Sequence, residues 1–285
     1  MKQKILILVL AAMTASMAAT GCESSTKKEE ETTDAVTSSE AEESTDEESS
    51  SEESADSDSS DFGTFDALAE GSSVTYSNLF DVILSSEYDQ IWIDKVVAVT
   101  GDESSAQETV DGLKASITSD IYGEEAYEKY NGQESFAFDC EYINDAKSFT
   151  FSNDKTVSIE KTDGSTEKHT YEYLGSVKIG EGEKMTYQGQ EMDVAFDVDA
   201  YKSTDDAGEF TYILLRDDTM ESTYHIEFRY GSDLDELKKY MEGNYAYWLA
   251  AGIDKDADEE TIENCINLFV TENVQPAESS DENNG

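Results

Sequence analysis

The sequence predicts a mainly β protein, a closed antiparallel β-barrel with flanking α-helices at both ends. Between residues 136 and 230, about eight short segments alternate apolar and polar side chains, and turn-forming glycine, Asn and Asp residues separate them. Apolar residues at helical spacing occur before and after this run. A β-sandwich is the alternative architecture for the same pattern.

Residues 1–21 have the features of a bacterial lipoprotein signal peptide. Two lysines precede the apolar run 5–13, which is too short to cross a bilayer as a helix. The Ala-Thr-Gly-Cys sequence at 19–22 resembles a lipobox, where the chain is cut before Cys and the Cys receives lipid such as palmitate. We therefore expect Cys22 to anchor the protein to the extracytoplasmic face of the cell membrane. An ordinary signal peptide is the alternative.

Residues 22–62 are predicted to form a disordered acidic tether. After Cys22 this segment holds 16 acidic residues, many serines and almost no apolar side chains, so it cannot bury enough surface to fold. Apolar and aromatic residues return over 63–275, which we interpret as the folded domain. The polar tail 276–285 is predicted to be disordered.

The overall charge limits the classes of partner. The chain has 66 acidic and 19 basic residues and a formal net charge of -47. Nucleic acid is excluded as a partner because its phosphates are held by Lys and Arg, whereas a strongly acidic chain attracts cations. No nucleophile elbow, Walker loop or dinucleotide fingerprint is present, so we expect no enzyme activity.

The elements of the folded domain follow in order. Short helices are predicted at 77–84 and 123–130, and an amphipathic helix lies between them at 105–122. The predicted strands span residues 136–142, 148–151, 157–161, 169–174, 184–187, 192–198, 210–215 and 223–230.

Helical spacing returns after the last strand. Ser232 is predicted to cap a helix that ends at Gly243, and Asp256 to cap a final helix over 256–270. The acidic stretch 254–258 begins like a calcium-binding loop. It lacks the Gly and the closing Glu of such loops, which favours a helix cap.

The closing part of the domain resembles the C-terminal half of the ZinT (YodA) family. The resemblance is strongest over 209–270 and includes the strand sequence Tyr-His-Ile-Glu-Phe-Arg-Tyr-Gly at 224–231, followed by Leu237, Met241, Tyr245 and Tyr247. It implies a lipocalin-like, calycin-type barrel over 63–275 with a metal site at its mouth. It also implies zinc binding, or zinc delivery to a metal-import system, outside the cytoplasm.

The family's His-x-His pair corresponds here to His225 and Glu227. Residues two apart on a strand point to one face, so this imidazole and carboxylate can hold one cation, and zinc accepts both donors. Asp217 or Asp218 lies near the position of another family His and is a candidate oxygen ligand. With one His only, the donor set also suits calcium, manganese or magnesium.

Several alternatives remain open at this point. Arg229 lies on the same predicted face, and its ion pair with Glu227 would leave a calycin-type ligand-binding or adhesion module without metal. The other histidine, His169, has no counterpart in the family. Cys140 and Cys265 form a disulfide, which export permits, or remain buried thiols.

The sequence as a whole predicts a membrane-anchored, extracytoplasmic protein that binds a divalent metal. Zinc is the first candidate, the metal ligands are His225, Glu227 and Asp217 or Asp218, and there are no catalytic residues. The predicted partners are the membrane, through lipid on Cys22, the metal ion, and a metal-import system.

Overall fold

The structure is a computed structural model. It describes residues 62–275 except residue 70 and the segments 118–119, 132–137, 188–189 and 217–222. The predicted signal peptide, Cys22, the tether up to residue 61 and the tail lie outside the described residues, as do Asp217 and Asp218. No helix in the described part of the chain is long and apolar enough to cross a membrane.

Eight antiparallel strands form a closed barrel, which confirms the predicted fold class. In order around the barrel they are β1 (Ser73–Asn78), β10 (Ala250–Asp254), β9 (Ile226–Gly231), β8 (Tyr212–Leu215), β7 (Phe196–Ser203), β4 (Thr166–Ile179), β3 (Thr156–Lys161) and β2 (Ala146–Ser152). Strands β5 (Lys184–Tyr187) and β6 (Gln190–Asp193) form a separate two-stranded sheet.

The membership of the barrel differs from the prediction. The segment 77–84, predicted to be helical, begins as the last two residues of β1, and only Leu79–Ile83 is an α-helix. Strand β10 was not predicted, although it pairs with β1 and closes the barrel. The described part of the predicted strand 136–142 makes one isolated bridge, from Asp139 to Trp248. Whether these segments become barrel strands depends on pairing with segments far apart in sequence, and local residue patterns do not predict that pairing.

Seven α-helices lie within the described residues. They are α1 (Thr64–Leu68), α2 (Leu79–Ile83), α3 (Asp89–Thr100), α4 (Ala106–Ile117), α5 (Glu124–Tyr130), α6 (Leu234–Leu237) and α7 (Glu259–Asn273). The predicted helices at α4, α5 and α7 are confirmed, whereas α3 was not predicted and α6 is a single turn.

Two of the predicted helix caps are off by one or two residues. Asp233, not Ser232, accepts hydrogen bonds at the start of α6. Asp258, not Asp256, caps α7 by accepting the Thr261 N–H at 2.9 Å. The acidic stretch before α7 therefore works as a helix cap, in agreement with the preferred interpretation.

Two hydrophobic cores lie on the two sides of the barrel wall. Phe149 of β2 and Phe228 of β9 are not on neighbouring strands, yet their ring centroids are 5.0 Å apart, so they meet inside the barrel. The second core joins Ile253 of β10 to helix residues such as Trp92 and Ile266. The helices therefore cover the outer face of part of the wall, and side chains on that face are buried as well.

Candidate metal-binding site

His225 and Glu227 lie at the start of β9, on the side of the wall that the helices cover. Ile226 and Phe228 belong to the barrel core, and strand alternation turns Glu227 to the opposite side. The family resemblance implies a site at the barrel mouth. The structure instead places both residues beside a cavity that α2 and α7 also line.

His225 is oriented by its own backbone. Tyr224 has a positive φ of 64°, which turns the chain just before β9 begins at Ile226. Nδ1 of His225 lies 2.7 Å from the carbonyl oxygen of Thr223, which only accepts, so Nδ1 donates the proton. In a neutral ring this leaves the Nε2 lone pair free, which is the tautomer that a metal-binding His requires.

Glu227 is paired with Arg216, which follows β8. The backbone N–H of Arg216 donates to the carbonyl of Glu227 at 3.0 Å, so the two residues face each other across adjacent strands. Nη1 of Arg216 donates to Oε2 of Glu227, and these side chains are only 5% and 11% exposed. The alternative pairing of Glu227 with Arg229 is therefore wrong.

The other carboxylate oxygen of Glu227 faces the imidazole. Its Oε1 lies 3.8 Å from Nε2 of His225, too far for a direct hydrogen bond. Two ligands of one tetrahedral zinc lie about 3.3 Å apart when each bond is about 2.0 Å. The distance between Nε2 of His225 and Oε1 of Glu227 is therefore about 0.5 Å longer than the distance between two ligands of one zinc ion.

The charged groups of the site change one another's pKa. Burial alone lowers the pKa of His225, but contacts with Cys265 and Glu227 outweigh burial and raise the pKa to about 10. Burial alone raises the pKa of Glu227, but Arg216 and His225 outweigh burial and lower the pKa to about 2. At neutral pH the carboxylate is therefore ionised and lies between two cations, the guanidinium of Arg216 and the protonated ring of His225. A metal ion would bind Nε2 of His225 only by displacing its proton.

The site borders a small cavity between the barrel and the helices. Its volume is about 80 Å³, enough for an ion with a few water molecules. Cys140, Cys265 and Asn273 of α7 are among the residues that line it. Oδ1 of Asn273 is buried and has no hydrogen-bond partner among the described residues. Such an atom is a natural contact for a bound water or ion.

Cys140 and Cys265 are free thiols, so the disulfide is not formed in this structure. Sγ of Cys265 donates to the carbonyl of Tyr224 at 3.3 Å, beside His225. Burial raises the pKa of the Cys140 thiol, and the charge of Glu227 adds to the effect. Cys265 was missed as a site residue. Cys265 lies three residues after Ile262 on α7, which places it on the buried face of the helix. The local sequence does not predict that His225 is its neighbour.

The donor set suits a divalent cation, but the described residues do not form a complete metal site. Among them, no three His, Cys, Asp or Glu side chains are grouped so as to hold an ion. Asp217 and Asp218, the predicted oxygen ligands, lie outside the described residues. The guanidinium of Arg216 donates to Oε2 of Glu227, so Oε1 is the carboxylate oxygen that faces His225.

Two other titratable groups lie apart from this cavity. His169 of β4 has Nδ1 at 3.2 Å from Oδ2 of Asp205. Burial raises the pKa of Asp139 to about 6, although the hydrogen bond from the Glu141 amide lowers it. A carboxylate of this kind suits acid–base chemistry, but Asp139 does not line the cavity beside His225.

A larger open groove of about 890 Å³ runs beside β5. Each of the four lysines that line it has a carboxylate partner: Lys178, Lys184, Lys238 and Lys239. Their positive charge is therefore already neutralised, and three glutamates in the same wall oppose an anionic ligand.

Fold and site together define a closed antiparallel barrel with a buried His–Glu–Arg cluster between its wall and a layer of helices. Among solved structures, the Zn(II)-bound ZinT-like domain of Streptococcus pneumoniae AdcA is similar, with 14% identity and a TM-score of 0.41, over 69% of this chain and 86% of that one. Zn(II)-bound AdcA from the same organism aligns with 15% identity and a TM-score of 0.39.

The second alignment covers 69% of this chain and 34% of AdcA, so the chain spans about a third of that protein. No protein-family model matches the sequence. No curated protein matches it either.

Proposed function

We propose that this chain is an exported, lipid-anchored protein that binds a divalent metal ion as cargo, with zinc as the first candidate, and does not act as an enzyme. The main support is that Nε2 of His225 and Oε1 of Glu227 lie 3.8 Å apart beside a buried cavity. The same cavity carries the thiols of Cys140 and Cys265. Nitrogen, oxygen and sulfur donors together suit zinc better than calcium or magnesium, which take oxygen alone.

Zinc titration against a coloured competing chelator tests this proposal. The chain from residue 23 onward should bind zinc with a Kd below about 10 μM, because trafficking sites bind their ions tightly. His225→Ala should weaken binding at least tenfold, on the order of the loss of a ligand. The matched control is His169→Ala, which removes the other histidine and should leave the affinity unchanged.

The second candidate is a ligand-binding module on the same barrel that binds no metal. The ion pair of Arg216 with Glu227 favours it, because the guanidinium satisfies the carboxylate without any ion. Undetectable zinc binding, or equal binding by wild type and His225→Ala, would support this candidate over the metal site.

The proposed location is the extracytoplasmic face of the membrane, where the protein would pass metal to an import system. The lipobox at Cys22 and the acidic segment after it support this location. A flexible coil of that length spans about 35 Å, which would hold the domain away from the lipid.

Detergent phase partitioning of the full-length protein made in bacteria tests the anchor. Wild type should enter the detergent phase and Cys22→Ser the aqueous phase, since one side chain carries the lipid. The anchor is contradicted if both proteins partition alike.

A further inference from the structure

We propose that the small cavity beside α7 is a binding site for a neutral molecule with an apolar body and one hydrogen-bond donor, the chemistry of a short alcohol. The inference goes beyond the proposed function and does not depend on metal binding, because it uses Asn273 and the apolar wall of the cavity. It gives a ligand class and a place in the fold to the second candidate, the ligand-binding module that binds no metal.

Aromatic rings pack against one another inside the barrel. The ring centroid of Phe149 lies 5.0 Å from that of Phe228 and 4.8 Å from that of Tyr230. The rings of Phe210 and Tyr230 stack at 5.5 Å. Rings at these distances are in contact and leave no room for a ligand between them. The cavity beside α7 lies instead on the outer side of the wall, under the helices.

Most of the wall of this cavity is apolar. Helix α2 contributes Leu79, Phe80 and Ile83, and α7 contributes Leu268 and Phe269. Its volume is about 80 Å³, compared with about 150 Å³ for an apolar cavity that holds benzene. The cavity therefore has room for a molecule of about three or four non-hydrogen atoms. Transfer of an apolar body from water to such a wall is favourable.

Asn273 gives the cavity an acceptor that lacks a donor. Its Nδ2 donates to the carbonyl oxygen of Phe269 at 2.8 Å. A carbonyl oxygen only accepts, so this bond fixes the orientation of the amide and leaves Oδ1 at its other end. Oδ1 has no hydrogen-bond partner among the described residues, and Asn273 is only 6% exposed. A buried acceptor without a donor is destabilising, so a ligand that donates to Oδ1 removes that cost.

The ion pair in the cavity wall favours a neutral ligand. Arg216 and Glu227 already neutralise each other there. A charged ligand would be buried without a counter-ion, which is costly. A hydroxyl group brings no charge and supplies the donor that Asn273 lacks. A ketone or a carboxylate has no proton to donate to Oδ1.

The test compares isopropanol with acetone, which have the same skeleton of non-hydrogen atoms but differ in the O–H donor. The chain from residue 23 onward, with labelled Ile and Leu methyl groups, is titrated with each molecule and followed by NMR. Isopropanol should shift the methyl signals of Ile83 and Leu268 saturably, with a Kd below about 0.1 M. Acetone should bind at least about threefold more weakly, which corresponds to the loss of one hydrogen bond.

A pair of variants assigns the difference to Asn273. Asn273→Leu removes the acceptor at similar size and should abolish the preference for isopropanol. Asn267→Leu is the matched control, since Asn267 lies on the same helix but is not among the residues that line the cavity. This control should keep the preference. Retention of the preference by a folded Asn273→Leu variant would contradict the role of Asn273.

The comparison in wild type needs no variant and decides the inference even if Asn273→Leu fails to fold. Acetone binding as tightly as isopropanol would overturn it. The absence of saturable shifts with both molecules would also overturn it, and would mean that the cavity holds water only. Neither outcome bears on the zinc titration, which tests the proposed function separately.

Discussion

Replacing Arg229 with Met should lower the free energy of unfolding by more than about 4 kcal/mol, close to the largest effect of a single substitution. Arg229 is fully buried, and no carboxylate pairs with its guanidinium among the described contacts. Its donors instead bind four backbone carbonyls, those of Leu237, Lys239, Tyr245 and Trp248.

The contacts of Arg229 explain the size of this effect. The carbonyls lie on the segment from α6 to β10, which has little regular structure of its own. The bonds to Trp248, Leu237 and Tyr245 measure 2.7 to 2.8 Å. Each buried carbonyl that loses its donor costs about 1–3 kcal/mol. Arg229 therefore attaches this segment to β9. The segment includes Tyr240, which lines the cavity beside His225.

Urea unfolding at pH 7 measures the change. Arg229→Lys should recover only part of the stability, because an ammonium has three donors and lacks the planar fork. Lys178→Met is the control, since it removes a long cation from an exposed ion pair and should change stability by less than about 1 kcal/mol. A loss below about 1.5 kcal/mol for Arg229→Met, within the range of one ordinary hydrogen bond, would show that water satisfies the carbonyls.

Arg216→Met without metal should lower the free energy of unfolding by about 3–5 kcal/mol, because the buried carboxylate of Glu227 loses its hydrogen-bonded cation and keeps only the imidazole of His225, 3.8 Å away. The double variant Arg216→Met/Glu227→Gln should regain most of this loss, since neither charge remains. Urea unfolding of both single variants and the double variant gives the coupling energy. Additive effects would mean that the two side chains are solvated independently.

The contribution of Glu227 should also depend on pH. Its folded pKa of about 2 lies below its ordinary value, so its stabilising effect is present above the ordinary value and is lost as the pH falls through 2. The stability difference between wild type and Glu227→Gln should therefore shrink from pH 6 to pH 2. A difference that stays constant over this range contradicts the lowered pKa.

Parts of the site could be predicted because they depend on local geometry. The two-residue period of a strand brings His225 and Glu227 to one side, and the structure has them 3.8 Å apart. The three- and four-residue spacing of α7 indicates that Cys265 faces inward with Ile262 and Ile266.

The partner of Glu227 could not be predicted from the same patterns. Arg229 is near in sequence and Arg216 is eleven residues away, yet Arg216 makes the contact. The antiparallel register of β8 and β9 places Arg216 opposite Glu227, and pairing between strands sets that register.

The period of the side chains and the composition predicted a mainly β barrel with helices around it and a strongly acidic chain, because both are properties of short segments. The candidate pair His225 and Glu227 came from the family resemblance of the closing strand. Other features are visible only in the folded chain: β1 and β10 close the barrel, and the pair lies beneath helices. Arg216 binds Glu227, whereas Arg229 binds backbone carbonyls. Contacts between segments far apart in sequence decide these features, and they form only when the whole chain packs.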